Sequence, residues 1–208
     1  LVARRDNDAY NTASRLLADR PGDLIAHLLL AQLFRQKELP SLAMDHCQKA
    51  LSKSPNDPRV FRMQAALLMD LGDAPGALRV LERLAEILPN DMDARVTMAY
   101  GHKSQGNMAK ALETLRAADE LNPKSPVAQL QMAQFLLEDK KIDAAIECYS
   151  RVLERDPANL MALNNLAVLL IDQKKDYNKG HEMATQAFKR FPDNTYVIET
   201  MGWALYHR

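Results

Sequence analysis

Cysteine is nearly missing from these 208 residues: Cys47 and Cys148 stand 101 positions apart. Two lone cysteines make neither a disulfide framework nor a zinc site, and each reads as a small buried hydrophobe. Charge imbalance is missing too. Lysine plus arginine number 27 against 27 for aspartate plus glutamate, so the basic excess of a general nucleic-acid binder is not there. No apolar run approaches the roughly 20 residues that span a bilayer, and no secretory leader is visible. There is no G-x-S-x-G, no repeated C-x-x-C, no H-E-x-x-H and no dinucleotide fingerprint. None of the five histidines, His27, His46, His102, His181 and His207, stands three or four residues from another. Carboxylates such as Glu138 and Asp139 read as solvated helix faces. The expectation is a protein with no enzymatic activity, no cofactor and no metal. What is abundant is Ala, Leu, Met, Gln, Lys and Glu, with hydrophobics at 47%, a mixture that favours packed helices.

The stretch MAYGHKSQGNMAKAL, residues 98–112, carries Gly101 and Gly106 at the spacing of a phosphate loop. Such a loop continues with Lys and Ser or Thr, whereas Gly106 is followed by Asn107 and Met108. The prolines explain the glycines better. Pro21, Pro55, Pro89, Pro123, Pro157 and Pro192 recur at 34, 34, 34, 34 and 35 residues. Ala31, Ala65, Ala99, Ala133 and Ala167 keep the same beat, as do Ala43, Ala77, Ala111 and Ala145. A fixed period of this length signals a helical repeat array.

Each unit reads as two amphipathic helices. In residues 92–125, Val96, Met98, Ala99 and His102 face inward from the first helix, and Ala111, Leu112, Leu115 and Ala118 from the second. Gly106 makes the turn between them, where a positive φ is cheap for glycine, and Gly72 does the same one unit earlier. Gly101 sits inside a helix, at a site where a neighbouring helix passes closely. Turns are expected near 37–40, 72–75, 106–108, 140–142 and 174–178.

These residues resemble the tetratricopeptide repeat (TPR) family over essentially the whole chain. Its pattern asks for a small residue at the eighth position of each repeat, matched by the first alanine series and by Gly202. It asks for alanine at the twentieth, matched by the second series, and proline at the thirty-second. The fourth position, usually aromatic, is aromatic only at Phe61 among the five full repeats. One extra residue between Lys174 and Gly180 widens a turn and puts Gly180 near the alanine site. The resemblance implies an all-α right-handed superhelical solenoid of antiparallel helix pairs. It would run as one array: a half repeat at 6–23, full repeats at 24–57, 58–91, 92–125, 126–159 and 160–194, and a half repeat at 195–208. Neither end shows a polar capping helix, so a segment of a longer array is expected, and self-association through the uncapped ends with it. The apolar faces there are Ala9, Ala13, Leu16 and Leu17 at one end and Met201, Trp203 and Leu205 at the other.

The resemblance further implies a concave groove lined by first helices, binding a peptide or protein partner. Carried over position by position, its residues are Arg35, Arg59, Arg62, Val96, Tyr100, Lys103, Leu130, Gln134, Leu137, Asn164, Val168 and Ile171. The expected pattern is basic in the first half, acidic in the second through Glu138, Asp172 and Glu199, and apolar between. No repeat pairs Lys and Asn at the fifth and ninth positions, which disfavours clamping of a C-terminal carboxylate. The last units are similar to those of large bacterial TPR proteins, among them lipoproteins of exopolysaccharide and exosortase (PEP-CTERM) systems. That implies assembly of an envelope polysaccharide machine and a periplasmic or envelope location. The alternatives are a cytosolic TPR regulator and the TPR segment of a multidomain enzyme.

Overall fold

The computed structural model describes the backbone of residues 2–208 and the side chains from Asp6 onward. Among the described residues there are twelve α-helices and no strand. They group into two compact units, Leu1–Ala111 and Leu112–Arg208. The first contains α1 (Val2–Asp19), α2 (Leu24–Gln36), α3 (Pro40–Lys53), α4 (Pro58–Asp70), α5 (Ala74–Ile87), α6 (Met92–Ser104) and the start of α7 (Met108–Leu121). The second contains the rest of α7, then α8 (Val127–Glu138), α9 (Ile142–Arg155), α10 (Leu160–Asp172), α11 (Tyr177–Arg190) and α12 (Thr195–His207). Within each unit a helix packs on its neighbour in sequence, and alternate helices touch, α2 on α4, α4 on α6 and α10 on α12.

Local chemistry sets these boundaries. Asp23, Asp91, Asn159 and Asn194 precede α2, α6, α10 and α12, and each side chain accepts a hydrogen bond from the N–H three residues on. Such caps contribute about 1 kcal/mol apiece. Asp73, Asn107 and Asp176 do the same before α5, α7 and α11. The turns between paired helices fall at 37–39, 71–73, 105–107, 139–141 and 173–176, within two residues of expectation. Every member of both alanine series is fully buried, because only a methyl group lets two helix backbones approach so closely.

Gly101 behaves as the sequence implies: a Cβ there would stand 3.1 Å from the Leu78 side chain of α5. Both cysteines are buried and free, and burial pushes the Cys47 thiol up to about 11. In two repeats whose fourth position is not aromatic, a polar side chain there reaches a turn carbonyl. His27 Nε2 lies 3.0 Å from the Pro21 carbonyl, and an Arg95 Nη donates to the Pro89 carbonyl at 2.9 Å. Both reach back six residues to a turn proline.

The structure corrects the sequence reading at one end. Ala9, Ala13, Leu16 and Leu17 are not a bare face; they pack on Ala26, Leu30 and Leu33 of α2.

Candidate docking surface

The residues expected to bind a partner fall into both units, and each unit has its own character. In the first, the arginines are already engaged. Arg35 donates from Nε and Nη to the Asp70 carboxylate at 2.5 and 3.2 Å, and that hydrogen bond raises its pKa further. Arg59 forks onto Asp57 at 2.9 and 2.7 Å. Arg62 reaches Asp91 at 2.7 Å, the same carboxylate that caps Ala94 of α6. The expected basic stretch is therefore a row of internal pairs. Val96, Tyr100 and Lys103 lie half-buried on α6, with the Lys103 ammonium 5.8 Å from the centroid of the Tyr100 ring. An opening of about 590 Å³ in this unit is lined mainly by polar residues, Gln32, Arg35, Gln36, Glu38 and Asp70, with Pro40.

In the second unit the predicted residues converge. Leu130, Gln134 and Leu137 of α8 and Val168 of α10 line one cleft of about 310 Å³ together with Tyr149, Met161, Asn165 and Leu169. Its walls are chiefly apolar. Tyr149 is buried among them, its hydroxyl accepting from Asn165 Nδ2 at 3.2 Å, and burial holds its pKa above the ordinary phenol value. Asn164 stands on α10 with its Oδ1 buried and no hydrogen-bond partner among the described residues. Ile171 departs from expectation: it is 1% exposed and packs with Ala167, Ala184 and Ala204, so it offers a partner no surface. Tyr149 was missed because it comes from a second helix, and the family pattern assigns the groove to first helices.

Further along the unit, α12 carries Trp203, whose indole N–H donates to Asp172 of α10 at 2.7 Å. Its ring stacks with Tyr206 at 5.8 Å and meets His207 edge-on at 4.3 Å. His207 in turn lies parallel to Tyr177 at 5.4 Å. No helix among the described residues is long and apolar enough to cross a membrane.

Consecutive helix pairs, sealed by a small-residue beat and presenting side-chain clefts, define a helical-repeat interaction scaffold. The chain belongs to the tetratricopeptide repeat family: family models of that description match residues 3–58, 68–134 and 102–168. It is similar to the type IV pilus assembly protein PilF of Pseudomonas aeruginosa, at 29% identity over 112 residues, 53% of this chain and 44% of that protein. It is also similar to human general transcription factor 3C polypeptide 3, at 27% over 139 residues, 67% of this chain and 15% of that one. The chain thus spans less than half the length of these curated relatives. Among solved structures, PilW, a type IV pilus biogenesis factor, superposes with a TM-score of 0.74 at 16% identity, over 96% of this chain and 92% of that one. P. aeruginosa PilF superposes at 0.70 and 20%, over 98% and 92%. At these identities the superpositions show the fold.

Proposed function

We propose that this protein is a docking scaffold that holds an apolar segment of a partner protein against the first-helix side of its second unit. The observation that carries this is the open apolar cleft of Leu130, Leu137, Tyr149, Met161 and Val168. In a close-packed array such side chains would be covered if they served packing alone, and exposed apolar surface with a polar rim marks partner sites. The sequence similarity to the type IV pilus assembly protein PilF favours assembly of a bacterial envelope machine of the type IV pilus kind over the exopolysaccharide system that the last repeats suggest. Two experiments test these two levels. A photo-cross-linking residue in place of Val168 should capture a specific protein from the native cell, and the same residue in place of Arg59 should not. Equal capture at both positions, or none at Val168, removes the cleft from consideration. Restored piliation when this chain is expressed in a pilF-deleted P. aeruginosa strain supports the pilus reading, and failure with a well-expressed chain counts against it.

A second reading, self-association, rests on α12. Gly202 stands at the position occupied by a fully buried alanine in five earlier helices, yet it is exposed, as are Ile198 and Leu205. Two copies apposed on this face would cover it. Light scattering should then show a dimer that Leu205→Glu dissociates, and a strict monomer at high concentration excludes it.

A further inference from the structure

The cleft accounts for α8 and α10 but leaves a different surface on α12 unused. Tyr196, Glu199, Trp203 and Tyr206 follow one another at three, four and three residues and so share one helix face. Tyr196 is 73% exposed, Tyr206 79% and Trp203 43%. Three exposed aromatic rings on a single helix of thirteen residues are out of keeping with the rest of the chain, where aromatics are only 6% of the composition.

Their setting is anionic. Glu199 lies within the stripe and is exposed, and it makes no ion pair among the described residues. Asp172 sits beside Trp203, holding its indole N–H. That bond fixes the ring, and Asp172 makes no ion pair among the described residues. His207 lies edge-on to Trp203 and Tyr206, and Arg208 turns back toward His181 Nδ1 of α11 at 3.2 Å.

Aromatic faces carry negative quadrupolar potential and attract ammonium and guanidinium groups, and a nearby carboxylate adds Coulombic attraction to the same cation. We infer that the Tyr196–Glu199–Trp203–Tyr206 face of α12 docks a basic side chain, arginine or lysine, borne by an apolar segment of a partner protein. The inference rests on the cleft reading, since the cleft would take that segment's apolar residues, and it adds the sign of the charge that the segment carries. The arginines of the first unit, which would favour an acidic segment instead, are paired within that unit.

Trp203 is the only tryptophan of the chain, so its emission reads this site directly. The probes are three amidated peptides of leucine and alanine that differ at two positions, arginine in one, glutamine in the second and glutamate in the third, with a neutral dextran oligosaccharide as the fourth. The arginine peptide should shift Trp203 emission saturably, and the shift should weaken as salt rises. Glu199→Gln, isosteric and at an exposed position, should weaken that binding about three- to tenfold, and Tyr206→Ala by a similar factor. Equal binding of the arginine and glutamine peptides, abolished by Val168→Glu, overturns the cationic site while the cleft reading survives. Preference for the glutamate peptide or for the oligosaccharide also overturns it. If no probe changes the emission, the site is not a docking surface. Capture at Val168 then decides separately whether the cleft is.

Discussion

At Lys140 the backbone adopts φ +58°, in the turn between α8 and α9, and the same strain recurs at Glu38 with φ 57° and Lys175 with φ 56°. The matching turns before α5 and α7 use Gly72 and Gly106, at φ 78° and 76°. A side chain in the left-handed region costs about 1–2 kcal/mol, partly offset by glycine's greater entropy loss on folding. Lys140→Gly should therefore stabilise the protein by about 0.5–1 kcal/mol, read as a higher urea midpoint with unchanged slope. Gly106→Ala should move the midpoint down, although nothing stands within 4 Å of the added Cβ. Equal midpoints for both variants and the parent would show that the turns are not strained.

The histidines were illegible to a search along one helix. His27 on α2 and His46 on α3 meet across the helix pair with Nδ1 atoms 3.0 Å apart. The Pro21 carbonyl requires the proton of His27 on Nε2, so His27 Nδ1 accepts and His46 Nδ1–H donates. Burial lowers the His46 pKa from the ordinary 6.5, with His27 and then Lys49 adding to the effect and Asp45 opposing it. The folded state thus disfavours the charged ring. Its contribution is fully present above pH 6.5, where the unfolded chain is also neutral, and is lost as pH falls from there toward the folded value. The melting temperature should drop between pH 7.5 and pH 5, over about these limits, and His46→Gln should flatten that slope. A slope that His46→Gln leaves unchanged would assign the acid sensitivity elsewhere.

Among the elements, helices and most turns could be read from the sequence because the 34-residue period records the physical need for small side chains at the helix contacts. The altered turn before α11 could be seen but not its consequence. It has four residues, 173–176, where the others have three. Ile171 is drawn inside, and a Cβ on Gly180 would meet Ile171 Cγ1 at 2.4 Å and the Ala167 carbonyl oxygen at 3.2 Å. Glycine at an alanine position is thus the complement of a buried isoleucine. Gly180→Ala should cost about 1–3 kcal/mol through overpacking, despite alanine's better helix propensity. Adding Ile171→Val should recover part of that loss. A double-mutant cycle in urea measures the coupling, and a zero coupling energy would mean that Ile171 is not what excludes the methyl group.

Across the whole molecule, the candidate site was legible where it depends on apolar residues and not where it depends on charge. Leu130, Leu137 and Val168 could be placed from repeat position alone. The fate of the arginines could not, since Arg35 finds Asp70 at a separation of 35 residues and Arg155 finds Asp119 at 36. These are distances of about one repeat, which a reading within one repeat does not scan. The two sets of residues consequently predict different phenotypes. Arg62→Gln removes a partner from Asp91, whose side chain is only 4% exposed, and should cost about 1 kcal/mol of stability. It should leave partner affinity unchanged. Val168→Glu places a carboxylate on the half-exposed wall of an apolar cleft, where the free protein can still solvate it. Its folding should be little affected, but docking would strip water from that charge. Affinity for the captured partner should fall about tenfold or more, roughly 1.4 kcal/mol, mostly through faster dissociation. Surface-based kinetics on both variants, with melting curves as the control, separates the two effects. If Arg62→Gln weakens binding while Val168→Glu does not, the partner sits on the first unit, and the paired arginines must open to receive it.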